Sequence, residues 1–132
     1  MAEASKELRT QRIVSAAMIG AVLLLLAVAL FMRQSLHPTG GLNVVAYLAV
    51  GWALVSVPIA DVMRGARWPT TTPEQDPQYW RKRGPAHLVS MGQVEGAALF
   101  CCVSLMITTS WWPLAALLAP LGAMLAWFPR DP

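Results

Sequence analysis

Four apolar runs in this chain are each long enough to cross the hydrocarbon core of a bilayer. A helix that crosses this core needs about 20 residues at roughly 1.5 Å per residue. Of the 132 residues, 56% are hydrophobic and only 13% are charged, which is too apolar for a soluble domain of this size. We place the spans at Ile13–Met32, Leu42–Met63, His87–Thr109 and Trp112–Phe128. The sequence therefore predicts an all-α integral membrane bundle of four transmembrane helices, a single domain over residues 1–132.

The first span follows a basic segment, as the core of a secretory signal does. Its apolar run exceeds the roughly 7 to 15 residues of a signal core, and it ends in FMRQSLHP without a small-residue cleavage site. We therefore interpret it as a retained helix. Nine of the ten Lys and Arg residues then fall on one side of the membrane, and only Arg33 falls on the other. Because Lys and Arg concentrate in cytoplasmic loops, we predict a multi-pass protein with both termini in the cytoplasm.

The connection between the second and third spans, residues 64–86, is the longest polar segment and contains four prolines. Prolines disfavour a continuous helix, so we expect extended or turn conformations there. Its aromatic rings suit the headgroup level, and its basic residues suit anionic lipid. We predict that it anchors the chain at the membrane surface, with docking of a cytoplasmic partner as the alternative. The residues predicted to contact headgroups or a partner are Arg64, Arg67, Trp68, Trp80, Arg81, Lys82 and Arg83.

Small residues recur four positions apart in the spans, most clearly at Ala16 and Gly20 and at Gly92 and Gly96. Within lipid, close backbone approach through small side chains is a main source of helix association. We predict that these four residues lie at helix contacts. The pattern leaves open whether the contacts are within one chain or between copies, although a compact bundle would use them internally.

The two halves of the chain also share short patterns. The segment Gly20–Leu23 aligns with Gly96–Leu99, and Gly51–Pro58 aligns with Gly122–Pro129. These matches fit two related hairpins, but chance also produces such short matches of small apolar residues.

Glu95, in the segment SMGQVEGAALF, lies eight residues into the third predicted span. Helix rise places it roughly 12 Å from the predicted cytoplasmic end. A charge near the bilayer centre costs about 2.5 to 3.5 kcal/mol on insertion scales. We therefore expect Glu95 to point into the bundle or a subunit interface and to be protonated near neutral pH. Two roles fit such a residue: a hydrogen bond that joins helices, or a site that binds a proton or an ion.

The segment EGAALFCCVSLM, from Glu95 to Met106, resembles the ion-carrying helix of rotary ATPase c-subunit-type proteolipids. That helix has a carboxylate followed by a small residue, then small and aliphatic positions, and an aromatic residue five positions on. Glu95, Gly96, Leu99, Phe100 and Val103 occupy these places. The resemblance implies that Glu95 would be the proton-binding carboxylate.

Other candidate chemistry in the sequence is limited. Cys101 and Cys102 are adjacent, which gives neither a CxxC motif nor metal-ligand spacing, so we interpret them as small buried apolar residues. His37 and His87 fall at opposite ends of the predicted spans and cannot hold one haem between them. Asp61 and Arg64, three residues apart, favour a local ion pair. We therefore predict neither a metal nor a cofactor.

Two classes of function remain after this survey. The chain has no Ser/His/Asp set, HExxH motif or phosphate-binding loop, so we predict that it is not an enzyme. Its basic residues lie where membrane topology requires them, so we predict no nucleic-acid partner. The preferred interpretation is a structural or accessory subunit that binds other membrane subunits, or copies of itself, within the lipid bilayer. The alternative is a proteolipid-like protein that handles protons or ions through Glu95.

Overall fold

The computed structural model describes residues 2–36, 43–72, 74–108 and 111–129, which form four helices and no strand. The helices are α1 (Ala2–Leu36), α2 (Asn43–Arg67), α3 (Tyr79–Ile107) and α4 (Trp112–Ala126). The predicted all-α bundle is confirmed. Helices α1, α2 and α3 are long and apolar enough to cross a membrane. Helix α4 has 15 residues and measures about 22 Å by helix rise, which is shorter than a typical hydrocarbon core.

Helix α3 lies at the centre of the bundle. It contacts each of the other three helices, whereas the described parts of α1 and α2 do not contact each other. Helices α1 and α3 run parallel, because Ser15 lies beside His87 near their starts and Arg33 lies beside Thr108 near their ends. The two predicted hairpins of the chain therefore pack differently, because α3 contacts α4 whereas the described parts of α1 and α2 do not contact each other.

A face of α2 that consists of small residues packs against the bundle. Every third or fourth residue along this face is buried and small, which lets the backbones of α2 and α3 approach closely. One sign of this approach is the Cys101 Sγ atom of α3, which lies 3.6 Å from the Ala49 carbonyl oxygen of α2. The face consists of Ala46, Ala49, Ala53, Ser56 and Ala60. It was not among the predicted packing positions.

The predicted packing positions on α1 and α3 lie mostly outside the bundle. Ala16, Gly20, Gly92 and Gly96 are all exposed. A Cβ atom added at Gly20 or Gly96 would meet nothing within 4 Å, and one at Gly92 would meet only the Met18 Cε atom at 3.9 Å. The expectation that a compact bundle uses these residues internally is therefore wrong. The reason is that α1 packs on α3 and away from α2, which leaves one face of α3 uncovered.

The polar connection between α2 and α3 is shorter than predicted. It was expected over residues 64–86, but α2 continues to Arg67 and α3 begins at Tyr79. Pro85 lies inside α3. A proline there removes only the hydrogen bond to the Arg81 carbonyl, and the preceding Gly84 has no Cβ to clash with the ring, so the helix continues.

Candidate functional site

Polar side chains of three helices meet at the end of the bundle where α1 and α3 begin and α2 ends, here called the basic end. His87 of α3 is buried there between Ser15 of α1 and Arg64 of α2. The Arg64 Nη1 atom lies 3.0 Å from His87 Nδ1 and 3.0 Å from Ser90 Oγ. A guanidinium can only donate, so Nδ1 must accept and carries no proton. His87 is therefore the neutral Nε2–H tautomer, which donates to Ser15 Oγ at 2.7 Å.

Two arginines and three tryptophans alternate at the same end. The Arg64 Cζ atom lies 4.3 Å from the centre of the Trp68 ring and 5.1 Å from that of Trp127. The Arg83 Cζ atom lies 4.9 Å from the centre of Trp68 and 5.0 Å from that of Trp80. These distances are those of cation–π contacts. We call this group, Trp127, Arg64, Trp68, Arg83 and Trp80, the Arg–Trp stack.

The structure brings together four of the seven residues predicted to contact headgroups or a partner. Arg64, Trp68, Trp80 and Arg83 belong to the Arg–Trp stack. The other three, Arg67, Arg81 and Lys82, are exposed beside it. An open pocket of about 370 Å³ is lined by Asp61, Arg64, Gly65, Trp68, Pro69 and Thr70. The expected ion pair between Asp61 and Arg64 is wrong, because Arg64 turns towards His87 and Ser90.

Asp76 orders the connection between α2 and α3. Its carboxylate accepts from Lys82 Nζ at 2.9 Å, from the Gln78 backbone N–H at 2.8 Å and from the Thr71 hydroxyl at 3.2 Å. The Lys82 hydrogen bond and then the Gln78 backbone hydrogen bond hold the pKa of Asp76 below its ordinary value of 3.8. Lys82 therefore has a local role in holding this connection against the start of α3.

Glu95 lies on the uncovered face of α3. Residues three or four positions apart form this face and are exposed or half-buried, and we call it the open strip: Leu88, Gly92, Glu95, Gly96, Leu99 and Val103. Glu95 itself is half-buried, so the placement inside the bundle is wrong, and the subunit interface stays a prediction. Among the described residues, none forms a hydrogen bond or ion pair with its carboxylate.

Arg33, which sequence reasoning did not select, is buried at the end of the bundle opposite the basic end. Its Nη1 atom donates to the carbonyl oxygens of Leu105 at 2.9 Å and Thr108 at 2.7 Å. Its Cζ atom lies 4.0 Å from the centre of the Trp111 ring. Arg33 thus places a cation on the final carbonyls of α3, where the helix dipole favours positive charge. The signal in the sequence was its position as the one basic residue on that side.

The remaining candidate residues are Cys101, Cys102 and His37. Cys101 and Cys102 are fully buried, in agreement with their interpretation as small core residues. His37 lies outside the described residues. Within the described part of the chain, no group of three or more His, Cys, Asp or Glu side chains could hold a metal ion.

No family model, curated protein or solved structure matches this chain. The resemblance of Glu95–Met106 to c-subunit-type proteolipids therefore stays a prediction.

Proposed function

We propose that this protein is a structural or accessory subunit that packs through the open strip against a helix of another membrane protein. The observation that carries the proposal is Glu95, half-buried on a face of α3 that the other described helices leave largely exposed. Carboxylates at membrane depth face a partner because lipid cannot solvate them. None of the described residues supplies a hydrogen bond or ion pair to Glu95. In this proposal the partner is a hydrogen-bond donor on another chain.

The glycines of the open strip support the same proposal. Gly92 and Gly96 lie one turn apart and leave the α3 backbone exposed. Within lipid, such a face associates well with a second helix because the two backbones can approach closely. Glu95 lies between them in sequence and would hydrogen-bond across the same contact. Steric fit and a polar bond would then act together.

Replacing Gly96 by leucine should reduce co-purification of the host complex about tenfold or more, because the added side chain blocks backbone approach. Within the described chain the added side chain begins in open space, since a Cβ atom at this position meets nothing within 4 Å. The measurement is quantitative mass spectrometry of proteins that co-purify with the tagged chain in mild detergent.

Gly51→Leu is the matched control. Gly51 is exposed on α2, and a Cβ atom added there also meets nothing within 4 Å. Because Ala49 of α2 contacts Cys101 of α3, Gly51 lies at a similar level along the bundle to Gly96. This variant should retain its partners. Equal losses in the two variants, or no loss in either, would mean that the open strip does not bind the complex.

A second candidate function is proton or ion handling of the proteolipid type, with Glu95 as the binding residue. The half-exposed carboxyl group and the resemblance over Glu95–Met106 favour it. A transport path needs more than one such group. Among the described residues, the nearest candidates along α3 and α2, His87 and Asp61, lie at the basic end and do not contact Glu95. The accessory role is therefore preferred.

We further propose that all four helices cross the membrane and that the basic end faces the cytoplasm. Tryptophans bracket the short helix α4, with Trp111 and Trp112 at one end and Trp127 at the other, as is typical of two membrane interfaces. Gln75 and Gln34 are both exposed and lie towards opposite ends of the bundle. In intact cells, a membrane-impermeant thiol reagent should label the Gln34→Cys variant and leave Gln75→Cys unlabelled. The reverse pattern would place the basic end outside.

A further inference from the structure

We propose that the Arg–Trp stack binds a phosphate group, supplied by an anionic phospholipid headgroup or by free phosphate. The guanidinium groups of Arg64 and Arg83 both lie against the ring of Trp68. Neither forms an ion pair with a carboxylate of the described residues. Asp61 lines the pocket beside Arg64 but offsets only one of the two positive charges. The site is therefore left with a net positive charge that an anion can neutralise.

Several N–H groups at the stack are free to donate. Arg64 uses only its Nη1 atom, for His87 and Ser90. That leaves its Nε and Nη2 groups without an acceptor among the described residues. Arg83 is half-buried, and its buried Nε atom has no hydrogen-bond partner in the described structure. A buried charged donor without an acceptor is costly. The planar guanidinium group matches the geometry of phosphate oxygens, to which it can donate two parallel hydrogen bonds.

A second buried polar group without a partner, the amide of Gln11, lies close to the backbone of Gly84. Gln11 is only 3% exposed, and neither its Nε2 nor its Oε1 atom has a hydrogen-bond partner in the described structure. Its Nε2 atom lies 3.6 Å from the position of a Cβ on Gly84, the residue that follows Arg83. Buried polar groups in native proteins are almost always hydrogen-bonded. This amide is therefore a second unsatisfied polar group at the basic end, on the side of α3 that faces α1.

The position of the stack suits the phosphate level of a bilayer leaflet. Its residues lie at the end of α2, the start of α3 and just beyond the end of α4, where apolar helices give way to a polar connection. Tryptophan and arginine both favour this interface, where a ring meets lipid and a cation meets a headgroup. In this arrangement Trp68 and Trp80 hold the two guanidinium groups in place, and the guanidinium groups recognise the phosphate.

The test compares the binding of phosphatidylglycerol and phosphatidylcholine to the full chain by native mass spectrometry. We expect the protein to bind one phosphatidylglycerol molecule with clearly higher affinity than phosphatidylcholine. Arg83→Gln should weaken this binding about tenfold or more, because it removes a charge-assisted contact. Arg9→Gln is the matched control, since it removes the same charge from an exposed residue of α1 that lies outside the stack and outside the residues predicted to contact headgroups. It should change binding by less than about twofold.

Two further measurements complete the test. The first identifies the source of the phosphate, and the second controls for loss of folding. If inorganic phosphate binds the lipid-free protein and Arg83→Gln abolishes that binding, the site takes free phosphate. If only phosphatidylglycerol binds, the headgroup is the ligand. Arg83→Lys keeps the charge and should recover part of the affinity lost in Arg83→Gln. Equal binding of the two lipids together with no binding of inorganic phosphate, equal losses in Arg9→Gln and Arg83→Gln, or no recovery in a folded Arg83→Lys variant would each overturn the proposal.

Discussion

Replacing His87 by leucine should lower the free energy of unfolding by about 2 to 4 kcal/mol. His87 is the shared partner of Ser15 and Arg64, so its loss leaves a hydroxyl of α1 and a guanidinium of α2 without their hydrogen bonds to the α3 ring. Each polar group left unpaired in a buried site costs about 1 to 3 kcal/mol. Chemical unfolding of the detergent-purified protein, followed by tryptophan fluorescence, measures this change.

Val89→Ala provides the control for His87→Leu. Val89 lies two residues further along α3 and is exposed, so its truncation should change stability by less than about 0.5 kcal/mol. His87→Gln should lose less stability than His87→Leu, because an amide can both donate and accept. If His87→Leu has the same free energy of unfolding as the unmodified protein, the hydrogen bonds of His87 with Ser15 and Arg64 do not stabilise the bundle.

Replacing Glu95 by leucine should release the host complex, whereas Glu95→Gln should retain it. Leucine cannot form the hydrogen bond that we propose with a partner helix, while the glutamine amide can donate and accept. We expect the co-purified amount to fall about tenfold in Glu95→Leu and to change little in Glu95→Gln. Neither change removes a hydrogen bond or ion pair within the described chain, since no described residue bonds to this carboxylate.

The same pair of variants distinguishes a structural role from proton binding. If Glu95 only joins helices, Glu95→Gln preserves both the assembly and the activity of the host complex. If Glu95 carries protons, Glu95→Gln preserves the assembly and abolishes activity, because an amide does not titrate. Retention of the complex by Glu95→Leu would contradict the proposed contact.

The helices could be predicted because they depend largely on the composition and length of the apolar runs. Apolar runs of this length fix helices almost independently of tertiary packing, and α2 and α4 begin within one residue of their predicted starts. The start of α3 was misplaced because Pro85 was taken as a helix breaker. The helix tolerates it with the loss of one backbone hydrogen bond.

The site was less predictable because it depends on which helices become neighbours. The contact between Ser15 and His87 joins residues 72 positions apart and requires α1 to pack parallel to α3. Nothing in the local pattern of either helix specifies that choice. For the same reason the sequence could not place Gly96 on the outside of the bundle, or predict that Arg33 reaches the final carbonyls of α3.

The most direct test of the accessory-subunit proposal is site-specific photo-crosslinking in intact membranes. A photoreactive amino acid replaces Gly96 in the open strip or, as control, Gly51 on the exposed face of α2. We predict an adduct between position 96 and a different membrane protein, absent at position 51 and lost when Glu95→Leu is added. Adducts at position 96 only with copies of this chain or with lipid, or the same adducts at both positions, would contradict the proposal.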